Sequence, residues 1–93
     1  MIHVIVKHYL SKEGKEYFAE WIEEVKKRTS TFEGFVSTQE GYLLGSDRAS
    51  VIVLEWENEE SLRIWRSSKG HEEILDMLHP YQVGGSEAQF FEW

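Results

Sequence analysis

The sequence predicts an α+β chain of order βαββαβ, on three observations. Runs rich in β-branched and aromatic residues recur at 2–10, 33–44, 50–57 and 87–93. Between them lie two stretches whose apolar residues recur at helical spacing. The run at 50–57 holds four consecutive apolar residues, Val51, Ile52, Val53 and Leu54, so neither of its faces is purely polar.

The elements follow in order. Residues 2–10 form the first strand, with Ile2, Val4 and Val6 on one side and Ile5 and Tyr9 on the other. Ser11 caps a helix whose apolar face is Phe18, Trp21, Ile22 and Val25. That helix ends near Arg28–Thr31, where Thr29, Ser30 and Thr31 weaken helical propensity. Glu33–Leu44 is a second strand, entered through Gly34. Gly45-Ser46-Asp47-Arg48 is turn chemistry, so the second and third strands pair as an antiparallel hairpin. Asn58 caps a second helix, with Leu62 and Trp65 on one face. It frays at Ser67–Gly70, continues for a turn or two with His71, Ile74, Leu75 and Leu78 at helical spacing, and closes at Pro80. Tyr81–Ser86 is a loop, and Glu87–Trp93 is a fourth strand.

This order is the ferredoxin-like arrangement: a four-stranded antiparallel sheet with helices on one face. Two helices cover one face, yet apolar residues occupy both. A second copy is the simplest cover for the other, which predicts a homodimer with sheets packed face to face. At the strand ends, Trp56 and Trp93 suit dimer contact as well as ligand contact.

Composition narrows the function. Ninety-three residues without repeat or linker make one domain, 1–93. With no cysteine there is no thiolate metal site and no Cys nucleophile. The net charge of −7 argues against nucleic acid, and the one basic cluster, Lys26-Lys27-Arg28, suits a helix C-terminus. No apolar run is long enough for a membrane span and no secretory leader is visible, so the cytoplasm is the expected location. The four histidines, His3, His8, His71 and His79, lack the spacing that aims two imidazoles at one metal, so no metal site is expected. His3 and His8, five apart on a strand, point to opposite faces. Thirteen aromatics are many for so small a core, which points to a pocket or a subunit contact.

Trp65-Arg66-Ser67-Ser68-Lys69-Gly70-His71 places Trp, Ser and His in a W-x-x-S-x-x-H pattern at the break of the second helix. With the βαββαβ order, Ser11–Gly14 and Phe32–Phe35, the chain resembles the antibiotic biosynthesis monooxygenase family along its whole length. The resemblance implies a dimeric α+β barrel. It also implies oxygenation of small aromatic or quinol-type molecules by O2 without flavin or metal. On that reading His71 is the catalytic base, Trp65 is a pocket wall with an indole donor, and Ser68 orients His71 or caps the last helical segment. His8 and Trp21 are further pocket candidates.

One departure opens alternatives. Oxygenases of this family often carry an Asn near the end of the first strand, where this chain has Lys7 or His8. A non-catalytic dimeric module that binds a small apolar ligand is the second reading. A haem-degrading monooxygenase is the third. The haem branch resembles W-x9-H, and ten residues after Trp65 stands Leu75.

Overall fold

The computed structural model describes residues 1–45 and 49–93. Its elements are β1 (Ile2–His8), α1 (Lys12–Thr29), β2 (Phe35–Tyr42), β3 (Ser50–Trp56), α2 (Glu59–Arg66), α3 (Lys69–Leu78) and β4 (Glu87–Glu92), with a 3₁₀ turn at His79–Tyr81 before the last strand. The four strands form one antiparallel sheet in the order β2-β3-β1-β4, the ferredoxin-like arrangement that the sequence predicts. Of the predicted turn Gly45–Arg48, residues 46–48 lie outside the described residues.

The caps are local chemistry. Ser11 Oγ accepts from Gly14 N at 3.1 Å, and Asn58 Oδ1 accepts from Ser61 N at 2.9 Å. Lys26, Lys27 and Arg28 occupy the last turn of α1, where Arg28 also pairs with Glu24 and with Glu73 of α3. Gly34, with φ of +84°, turns the chain into β2, and a side chain there would overlap Ser61. Strand β2 is two residues shorter at each end than the sequence suggests, and carries an irregularity between Phe35 and Ser37.

Past Ser67 the second helical stretch differs from its expected course. It is a separate ten-residue helix, α3, in place of a turn or two. Ser68 Oγ accepts from His71 N at 3.2 Å and so restarts the helix with its own N-cap.

Register decides what faces the helices. Ile2, Val4, Val6 and His8 of β1 lie opposite Trp56, Leu54, Ile52 and Ser50 of β3. This side packs on Phe18, Trp21, Ile22 and Val25 of α1, which are 0–2% exposed, and on Leu62, Trp65, Ile74 and Leu78 of α2 and α3. Burial along β3 alternates strictly although its residue types do not. Trp56 is fully buried on the helix side, so it is not available for a subunit contact. The opposite side presents Ile5, Val51, Val53, Phe91 and Trp93 only partly covered, so the chain itself buries one face and not both. There Trp93 stacks on His3 at 4.1 Å. Among the described residues no helix is long and apolar enough to cross a membrane.

Candidate active site

Between the sheet and the helices lies an inner cavity of about 230 Å³. Strands β1, β3 and β4 form its floor through Val4, Val6, Ile52, Leu54, Ala88 and Phe90, and α1, α2 and α3 form its roof. Ala88 stands opposite Val6, and its short side chain leaves room beside the central strand. An apolar cavity of about 150 Å³ accepts a benzene ring, so this one has space for a single substituted ring. A wider groove of about 540 Å³ adjoins it at the surface, and Leu62, Arg66, His71 and Phe90 line both.

Four of the five residues singled out in the sequence meet in the inner cavity: His8, Trp21, Trp65 and His71. The last strand residue of β1, His8, is 2% exposed. Its Nδ1 lies 3.0 Å from Ser86 Oγ, which in turn accepts from Gln82 Nε2 at 3.1 Å. Its ring meets the Trp21 ring edge-on at 5.3 Å. Burial pushes the imidazole down to about 4, so His8 is neutral at physiological pH. Trp21 donates its indole N–H to Ile74 O at 2.7 Å, which ties α1 to α3 and commits that donor to the fold.

His71 occupies the first turn of α3, half-buried, with its ring edge-on to Trp65 at 5.4 Å. Burial lowers its pKa, and the positive charge of Arg66 lowers it further. The imidazole is therefore unprotonated at neutral pH and able to take a proton. Ser68 does not reach it: the hydroxyl donates to Trp65 O at 2.7 Å and accepts from the His71 backbone, so Ser68 is a cap and lines neither cavity.

The structure adds residues that sequence reasoning did not single out for the site. Ser86 anchors His8, and Arg66 sits at the shared mouth with its guanidinium 4.8 Å from the Phe90 ring centroid. Trp56, for which the sequence leaves ligand contact and dimer contact equally open, lines the cavity with an indole N–H that is buried and makes no hydrogen bond. Leaving such a donor unsatisfied costs about 1–3 kcal/mol, which a bound oxygen would offset.

At the position ten after Trp65, where the haem branch would carry its ligand, Leu75 lines the cavity with hydrocarbon, and the buried His8 is held through Ser86. Among the described residues, no three His, Cys, Asp or Glu side chains converge as a metal site.

Comparison with known proteins agrees with this architecture. A conserved protein from Methanosarcina mazei Go1 is 21% identical, with a TM-score of 0.84 over 98% of this chain and 90% of that one. SnoaB, a cofactor-independent oxygenase from Streptomyces nogalater, is 16% identical, with a TM-score of 0.75 over 99% and 91%. A dimeric ferredoxin-like protein of unknown function from Jannaschia sp. CCS1 is 10% identical, with a TM-score of 0.84 over 99% and 98%. At such identities the likeness concerns the fold. No relative among curated proteins matches the chain. The model of the antibiotic biosynthesis monooxygenase family matches residues 1–76, most of the chain, and to that family this protein belongs.

Proposed function

We propose that the protein is a cofactor-independent monooxygenase that uses O2 on a small aromatic or quinol-type molecule held in the inner cavity. The observation that supports it most is the pairing of an apolar, one-ring cavity with an unprotonated imidazole, His71, at its mouth. Such a site desolvates a phenol and offers it a base. His71 takes the phenolic proton. The phenolate, electron-rich at the carbon opposite its oxygen, is the species that O2 oxidises. A carbon–oxygen bond forms there and His71 returns its proton to the distal oxygen. Loss of water, which carries away that carbon's hydrogen, leaves a quinone. One oxygen atom stays on carbon and the other leaves as water. Trp65 and Trp21 wall the ring, and His8, neutral and held by Ser86, is a fixed polar contact within the chamber.

The test is O2 uptake across a panel of phenols and quinols, with His71→Ala alongside. Removal of a general base predicts a fall of about 10²–10⁴-fold. Uptake should also decline as pH drops, with a midpoint below the usual imidazole range, because His71 is lowered. Uptake unchanged in the variant sinks the assignment to His71.

A non-catalytic ligand-binding module is the second reading. It is favoured by one observation: among the described residues, no hydrogen bond holds the His71 ring in place, since Ser68 serves the backbone. It predicts saturable quenching of tryptophan fluorescence with no O2 uptake.

We also propose that two copies pack their uncovered sheet faces as a homodimer. The partly exposed Ile5, Val51, Val53, Phe91 and Trp93 support it. Sedimentation should give a dimer for the wild type and a monomer for Val53→Glu. A monomeric wild type overturns it.

A further inference from the structure

We infer that the cavity selects aromatic substrates bearing a carboxylate, with Arg66 as the residue that binds it. The inference rests on the reading above that this cavity is the substrate site.

The lining of the inner cavity is the first support. Among the described residues, no Asp or Glu lines this cavity, and the ionisable side chains that do are His8, His71 and Arg66. Among the same residues, its one buried polar side-chain atom without a partner is a donor, Trp56 Nε1. The described walls thus offer an incoming group hydrogen-bond donors and a cation, and no fixed negative charge.

The second support is the state of Arg66. Arg28 is paired with Glu24 and Glu73, and Arg63 with Glu60. Arg66 forms no ion pair among the described residues, although Glu59 and Glu92 line the same groove. Its guanidinium instead lies over the Phe90 ring. No hydrogen bond or ion pair among the described residues engages the guanidinium N–H groups, which can grip a carboxylate with two parallel bonds. A cation at the C-terminus of α2 is favourable in its own right, but that alone requires neither the contact with Phe90 nor a place on the cavity wall.

Position divides the work. Arg66 is exposed at the mouth, in both the groove and the cavity, beside His71. A ring lying in the apolar chamber would keep its carboxylate at the mouth on Arg66 while its hydroxyl meets His71. Exposure to solvent weakens such a pair, so the expected selectivity is roughly tenfold, or about 1.4 kcal/mol.

The test compares binding of meta-hydroxybenzoate with that of its neutral isostere, meta-hydroxybenzamide. Both are titrated under nitrogen at neutral pH, with tryptophan fluorescence as the readout. The wild type should bind the acid about tenfold more tightly than the amide. In Arg66→Gln the two affinities should converge to within about twofold because the acid loses more than the amide, and Arg66→Lys should fall between. Arg66 is on the surface, and an unchanged melting temperature certifies the variants as folded. Equal binding of acid and amide by the wild type, a preference that survives in Arg66→Gln, or binding of neither probe overturns the inference. Oxygen uptake separates it from the reading on which it rests. Selective binding of the acid with no uptake from any phenol leaves carboxylate selection standing and removes the monooxygenase. Equal binding and equal uptake of acid and amide do the reverse.

Discussion

On the helix side of the sheet, Ile2, Val4, Ile52, Leu54 and Trp56 are 0–7% exposed. On the other side, Ile5, Val51 and Val53 are half-buried, and Phe91 and Trp93 are 39% and 70% exposed. The residue types are nearly the same, and what differs is the cover. The chain's own helices close the first face so well that the remaining space is a one-ring cavity with few uncommitted polar groups. The second face mixes apolar residues with His3, Lys7 and Glu55, and finds cover only in the proposed second copy. Apolar composition alone therefore does not separate a face that folds the chain from one that joins two chains; register and layer do.

Tryptophan substitutions on the two faces test that contrast most strongly. Trp21→Ala removes a side chain 1% exposed and its bond to Ile74, and should destabilise the chain by about 3–5 kcal/mol in urea unfolding. Trp93→Ala, extrapolated to low protein concentration, should change stability by less than about 0.5 kcal/mol while lowering the dimer fraction. Similar losses in both variants would erase the distinction between the faces.

Acid sharpens the comparison. His8 is held at about 4 in the fold against 6.5 when unfolded. Between those values the unfolded chain binds the extra proton. The contribution is thus complete above pH 6.5 and is lost as pH falls towards 4, about 3 kcal/mol in all. His71, lowered in the same direction, adds to the loss. Denaturation curves taken across this range should be flatter in His8→Gln. An equally steep acid limb in that variant would place the titrating group outside the cavity.

The smallest effect concerns the break between α2 and α3. Ser68→Ala removes a cap and should cost about 1 kcal/mol, with ligand affinity within about twofold of wild type. A large loss of affinity would return Ser68 to the pocket.

Much of this molecule is legible in the sequence because hydrophobic period is local. Phe18, Trp21, Ile22 and Val25 announce one helix face, and Ser11 and Asn58 announce the caps. Three of the pocket residues in the second half are harder, because pairing across the sheet creates their roles. Ser86, Ala88 and Phe90 meet the cavity only through the register of β4 against β1. The side to which Trp56 points is likewise a matter of register. The length of α3 rests on a single serine cap that reads equally well as fraying. Arg66 did leave a signal. Arg28 and Arg63 have acids three or four positions away, whereas Arg66 has Leu62, Arg63, Lys69 and Gly70, so its helix gives it no partner.

The role of His71 as the base is tested most directly by the pH dependence of O2 uptake with a phenol, recorded for the wild type and for His71→Ala. Wild-type uptake should decline as pH falls, with a midpoint below the usual imidazole range because burial lowers His71, and the variant should fall by about 10²–10⁴-fold and lose that acid limb. An unchanged rate in the variant, or the same acid limb in both proteins, contradicts the role of His71 as the base.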